Sequence, residues 1–170
     1  MKENYKFVYA ALSRACDSML LILHKGAEYA REHDNESKLL TSALFEDMFD
    51  LTRQVQIFSD NVCGGAARAY GITKPSMPDT EKTFRELIER INVTKAFLKT
   101  IDPEKFEDED RKVVLPWMRE GNYIEVKDYL QDYILQNTFF HLVTAYDILR
   151  NQGVPLGKSD YIGSLSFKNQ

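Results

Sequence analysis

Histidine is scarce in this chain, cysteine scarcer still, and basic charge is not in excess. Three His, two Cys and one Trp stand among 170 residues, with 22 Lys and Arg against 26 Asp and Glu. Two cysteines, Cys16 and Cys63, cannot frame a disulfide scaffold and form no Cys-x-x-Cys pair. Each lies on an apolar helical stretch beside small residues, with no His or Arg at helical contact spacing, so both read as small core hydrophobes rather than reactive thiolates. A formal charge of −4 and a pI near 5.4, without a basic stripe, exclude nucleic acid as a default partner, because phosphate neutralisation draws on clustered Lys and Arg. The longest purely apolar run in the N-terminal half, residues 19–23, falls far short of the ~20 residues of a membrane span. Arg14 and Asp17 interrupt what would be the apolar core of a signal peptide. A cytoplasmic protein with no membrane partner is the expectation. Eight Gly and five Pro are also too few for a collagenous or linker-like chain.

What is plentiful is packing material. Ten Phe and nine Tyr contribute to a hydrophobic share of 44%, which argues for one folded domain over residues 1–170. Four long segments carry helical periodicity. In the first, from residue 4 to about 31, Val8, Leu12, Ala15, Met19 and Leu23 recur at three- and four-residue steps on one face. The second begins near Met48 with Asp50 as its N-cap and ends at Gly71, and its stripe runs through Leu51, Val55, Phe58, Val62, Ala66 and Ala69. Gly64-Gly65 inside it costs about 1 kcal/mol per Gly relative to Ala, a sacrifice expected where a neighbouring helix approaches closely or the rod bends. Pro75 and Pro78 mark a loop, after which Asp79 or Thr80 caps a third helix with Phe84, Leu87, Ile88, Ile91, Leu98 and Ile101 buried. The acidic run Glu107-Asp108-Glu109-Asp110 lacks the alternating oxygens and central Gly of a calcium loop and reads as a solvated turn. Residues 112–115 and 123–126 pair as a small hairpin insertion. A fourth helix, from about Val126 to Asn151, ends at Gly153 and is apolar on most sides, at Leu135, Phe139, Phe140, Leu142 and Val143, as for a rod surrounded by neighbours. The fold class is all-α, an antiparallel four-helix bundle.

Chemistry concentrates on that fourth helix. At about 100° per residue, Leu130, Ile134, Asn137, His141, Thr144 and Ile148 share one third of its circumference. Asn137 and His141, one turn apart, are thereby placed inside the bundle. They either satisfy each other, a backbone carbonyl or a buried water, or line a site. Gln54 and Asn61 flank the stripe of the second helix and can project toward them, while the run Arg53-Gln54-Val55-Gln56 reads equally as ordinary surface. A pocket of Gln54, Asn137, His141 and Thr144 would be neutral and hydrogen-bonding, with only His141 titrating near neutrality. Metal patterns are weak. His24 and His33 lie on opposite sides of the first helix, and the residues three before each His are Leu21, Ala30 and Thr138, so no Glu-x-x-His pair exists. Asp17, Asp60 and Asp132 fall opposite their buried stripes and read as solvated. Gly157-Lys158-Ser159 ends like a phosphate-binding loop, but only three residues separate Gly153 from Gly157 and the stretch follows a helix.

Three groups of residues together resemble a known family: the run Met48-Phe49-Asp50-Leu51-Thr52-Arg53-Gln54-Val55-Gln56-Ile57, the run Asn137-Thr138-Phe139-Phe140-His141, and Gly157-Lys158-Ser159-Asp160-Tyr161-Ile162-Gly163. With Pro78-Asp79-Thr80-Glu81 and Phe84, they resemble domain-of-unknown-function family nineteen ninety-three, a branch of the DinB/YfiT-like superfamily. That resemblance implies a four-helix bundle, frequently a homodimer. In many superfamily members it also implies a divalent metal held by one His of the second helix and a His-x-x-x-His pair of the last, and some are thiol-dependent transferases or isomerases. The matching positions in this chain are Gln54 or a neighbour, Asn137 and His141, so one His of three carries over.

The reading that follows is a bundle protein without the superfamily metal and with no cofactor, acting as a small-molecule binder or dimeric interaction module around a neutral polar pocket. The alternative is a zinc- or nickel-dependent, thiol-transferase-like enzyme with His141 as a metal ligand. Metal-free acid–base catalysis by His141, oriented by Asn137, is the third possibility.

Overall fold

The spacing of apolar residues sets each rod of the bundle. In the computed structural model, which describes residues 2–102, 106 and 110–165, Lys2–His33 form α1 and bury Val8, Leu12, Ala15, Met19 and Leu23. A short α2, Glu36–Leu40, precedes α3, Leu51–Tyr70, whose N-cap Asp50 accepts from the Arg53 backbone N–H at 2.8 Å and whose C-cap Gly71 is left-handed at φ 65. Helix α4 spans Phe84–Lys99. Strands β1, Lys112–Val113, and β2, Ile124–Glu125, pair antiparallel with Lys112 opposite Glu125 and Val113 opposite Ile124, which is the expected hairpin. A continuous rod follows: α5, Val126–Asp128, a π-helical segment, Tyr129–Leu135, and α6, Gln136–Asn151. A single turn, α7, Lys158–Ile162, closes against α1 through Ser18 Oγ, which donates to the Tyr161 carbonyl at 2.6 Å. Residues Tyr5–His33 are long and apolar enough to cross a membrane by composition, yet their apolar stripe is spent in the bundle core.

Helices α1 and α4 run antiparallel, with Gly26 against Phe84 and Asp17 paired to Lys95. So do α3 and α6, with Gln54 against His141 and Asn61 against Asn137. Helices α3 and α4 run in the same direction, because residues 72–83 travel back along α3 before α4 begins. Lys74 bonds Asp60 at 2.8 Å, Ser59 faces Met77, and Gln56 Nε2 donates to Glu81 at 2.9 Å. Arg90 of α4, its side chain 1% exposed, clamps this crossover. Its guanidinium meets Glu81 at 2.8 Å, Asp79 at 3.0 Å and Asp60 at 3.4 Å. A buried guanidinium is tolerated only when opposite charge and hydrogen bonds surround it, and removing one partner of such a group costs about 3–5 kcal/mol.

Three expectations change. The cap of α4 is Thr83, not Asp79 or Thr80: Thr83 Oγ1 accepts from Glu86 N at 3.2 Å, and the Glu86 carboxylate accepts from Thr83 N at 3.0 Å. Asp79 is instead committed to Arg53 and Arg90. Asp60 is not simply solvated, since it is a member of the Arg90 cluster, whereas Asp132 is exposed as expected. The last helix is not enclosed on most sides: Phe140 is 56% exposed and Val143 39%. Of the acidic run, only Asp110 lies among the described residues, as an exposed turn position.

The π-helical segment is the feature that periodicity alone could not supply. In it the backbone bonds reach one residue further than in an α-helix, a local widening of the ladder. Here Asn61 Nδ2 donates to the Ile134 carbonyl at 3.0 Å. Gly65, one turn along α3, lets that segment come close: a Cβ there would meet Ile134 Cδ1, Cγ1 and Cγ2, each at 2.8 Å. A Cβ at Gly64 would meet only the mobile end of its own helix's Arg68. Chemical denaturation should therefore separate the two glycines. Gly65→Ala is expected to lose about 1–3 kcal/mol by overpacking, while Gly64→Ala is neutral or gains up to about 1 kcal/mol of helix propensity. Equal effects of the two substitutions would contradict the close approach at Gly65.

Candidate functional site

With α3 started by the Asp50 cap, Gln54 and Asn61 lie two turns apart on one face, and both are buried. On α6, Asn137 and His141 are one turn apart. Antiparallel packing then brings them together as two rungs. His141 Nδ1 lies 2.7 Å from Gln54 Oε1. Asn137 Nδ2 donates to Asn61 Oδ1 at 3.1 Å, and Asn61 Nδ2 donates to Thr138 Oγ1 at 2.7 Å as well as to Ile134.

The tautomer of His141 follows from this network. The Gln54 amide nitrogen donates to the Phe49 carbonyl at 3.1 Å. Oε1 is therefore the Gln54 atom that faces the ring, and since an amide oxygen only accepts, Nδ1 carries the proton. Nε2 is left as the lone-pair nitrogen. Burial pushes the imidazole pKa down to about 4, and the nearby positive charge of Arg53 adds to the effect. His141 is thus neutral at pH 7. The Phe140 ring stands edge-on to it with centroids 5.3 Å apart. Both thiols behave as core groups: burial raises Cys16 to about 12 and Cys63 to about 11.

The four residues expected to share one pocket are divided between two environments. Gln54 and His141, the latter 7% exposed, form the buried pair. Asn137 and Thr144 line an open groove of about 780 Å³ along the uncovered face of the last helix, with Tyr133, Phe139, Phe140 and Val143. Asp132 and Asp147 also line it. Thr144 Oγ1 donates to the Phe140 carbonyl at 2.8 Å, so the hydroxyl oxygen is what it offers to the groove. Sequence reasoning missed Arg53 as the charge that acts on His141, and Arg90 with its carboxylates as the clamp behind it. Phe140 and Val143 were visible as apolar residues off the buried stripe, a signal taken for enclosure.

A three-His divalent site tests poorly against these donors. Two of the three positions are carboxamides, weak ligands for transition metals. Gln54 Oε1 already accepts from His141, and the Asn137 amide is tied to Asn61. His24 and His33 lie exposed on α1, with His33 Nδ1 2.8 Å from the Tyr29 carbonyl. Among the described residues no three His, Cys, Asp or Glu side chains converge on a point that could hold a metal ion. The residues present do not fit the group.

The sequence pattern of the family described as Domain of unknown function (DUF1993) matches residues 5–162. A crystal structure of a DinB family member protein from Shewanella denitrificans is similar over 100% of this chain and 99% of its own, with a TM-score of 0.92 and 30% sequence identity. No curated protein matches.

A neutral buried histidine links stability to pH with a definite sign. An unfolded histidine takes up its proton near pH 6.5, but the folded His141 does so only near 4. The unfolded state therefore binds more protons as pH falls, and stability that is complete above pH 6.5 is lost between there and about 4, by roughly 2–4 kcal/mol. Urea unfolding at pH 7.5, 6, 5 and 4 should show this loss in the wild type and its absence in His141→Leu. Parallel curves would contradict the neutral burial of His141.

Proposed function

The chain belongs to the DUF1993 family, and on that premise we propose that it is a metal-independent binding module of DinB-like fold, taking a small neutral ligand in the groove along α6. One observation carries the reading: His141, the histidine inside the bundle, is neutral and already bonded to Gln54, while the groove offers amide, hydroxyl and aromatic surface beside the Asp132 and Asp147 carboxylates. Such a lining suits a flat, uncharged molecule that stacks on Phe140 or Tyr133 and exchanges hydrogen bonds with Asn137 and Gln136. A cytoplasmic location belongs to the same reading.

Exposed Phe140 and Val143, close to the partly buried Phe139, favour a second use of this face as the contact of a homodimer. The metal-dependent alternative, a transferase with zinc or nickel on His141, asks for two further ligands that Gln54 and Asn137 do not supply.

Heteronuclear spectra recorded with a panel of neutral aromatic amides test the proposal, alongside zinc and nickel titrations. Ligand-induced shifts should centre on Tyr133, Asn137 and Thr144, and Asn137→Ala should weaken the best ligand by about tenfold through one lost hydrogen bond. Stoichiometric metal that disappears in His141→Ala would overturn the reading in favour of the enzyme.

A further inference from the structure

Phe139 also borders a second, narrower cleft, of about 430 Å³, between α1, α6 and α7. Its α1 wall is made of small residues, Ala10, Ala11 and Ala15, and the larger side chains around it are Phe7, Leu142 and Ile162. The polar groups there are few, and most are already engaged. Ser18 spends its hydroxyl proton on the Tyr161 carbonyl at 2.6 Å. Arg14 carries the charge of this lining. It is exposed at the cleft, and its Nη2 donates to the Ser164 carbonyl at 2.7 Å, which bridges α1 to the chain beyond α7. The nearest carboxylates along the chain are taken: Asp17 pairs with Lys95, and Asp160 pairs with Lys25 at 2.7 Å. Among the described residues Arg14 has no ion-pair partner.

We propose that this cleft binds an amphipathic monocarboxylate, its hydrocarbon tail lying between the α1 alanines and the Phe7 and Phe139 rings, and its carboxylate held by Arg14. The charge present selects the class. One guanidinium with no competing acid among the described residues complements one negative charge, and its planar fork matches the two oxygens of a carboxylate. A phosphate dianion would call for more donors than the Arg14 guanidinium and the Tyr161 phenol at this cleft. The volume lies within the range of small-molecule sites, and the apolar walls reward a saturated chain at about 0.8 kcal/mol per buried methylene. Phe7, 69% exposed, and Ile162, 37% exposed, flank the opening, so occupation removes apolar surface that is otherwise wet.

Isothermal titration calorimetry of the full chain with decanoate and with decyltrimethylammonium tests the assignment. Decanoate should bind saturably at one per chain and at least about tenfold more tightly than the cation, as a charge-assisted contact requires. Arg14→Leu should abolish that preference, while the exposed Ser164 contact it also removes lowers the thermal midpoint by only a few degrees. Ala11→Trp should fill the cleft and abolish decanoate binding; if that variant fails to fold, Arg14→Leu carries the test alone. No saturable binding, equal binding of the two ions, or an unchanged preference in Arg14→Leu would each overturn the proposal. So would sedimentation showing that a second copy occupies the cleft, seen as a dimer that Phe7→Asp splits and that leaves decanoate unbound.

Discussion

The side-chain amide of Asn61 is the joint on which the rest of this bundle is arranged. It reaches across from α3 to a carbonyl of the widened π-helical segment, donates to Thr138 Oγ1 with the same nitrogen, and accepts from Asn137 with its oxygen. A buried carbonyl or amide left without a partner costs about 1–3 kcal/mol. Here the neighbouring helix supplies a donor to the Ile134 carbonyl. Gly65 makes that reach possible by letting Ile134 lie against bare backbone. Once this contact sets the register of α6 against α3, His141 falls opposite Gln54.

The same logic explains why the polar interior is quiet rather than reactive. The two amides of the α3 face have partners fixed by other parts of the fold: Gln54 by Phe49 and His141, Asn61 by Ile134, Asn137 and Thr138. The charged residues form a separate layer. Arg90, Asp60, Asp79 and Glu81 bind the crossover between α3 and α4, and that crossover holds Arg53 through Asp79. Arg53 in turn adds to the burial that keeps the imidazole unprotonated. A cluster that looks purely structural thus contributes to the electrostatics of the one histidine inside the bundle.

Much of this was legible from residue order. Apolar periodicity located all four rods, the Asp50 cap and the Gly71 stop, because those features depend on local spacing and backbone freedom. Periodicity left Gln54 and Asn61 beside the apolar stripe, where the bundle interior and the surface were equally open to Gln54. What escaped it was non-local. The π-helical segment lies where Asn61 of α3 bonds the Ile134 carbonyl, a contact that nothing in residues 129–135 alone announces. The return path of residues 72–83 is held by Arg90, whose partners Asp60, Asp79 and Glu81 lie 9–30 residues away along the chain. The open face of the last helix was misjudged because Phe140 and Val143 are apolar whether or not a neighbour covers them. The family resemblance named the right architecture, and the residues at its metal positions are those that the fold uses to bond one helix to another.

The most direct measurement is the tautomer and charge of His141, read from long-range proton–nitrogen correlation spectra of labelled protein. If Gln54 holds the ring, Nδ1 carries the proton, Nε2 resonates as a bare lone-pair nitrogen, and both signals persist unchanged from pH 7.5 to about 5. A proton on Nε2, or titration near pH 6.5 as for a free imidazole, would contradict the buried pairing.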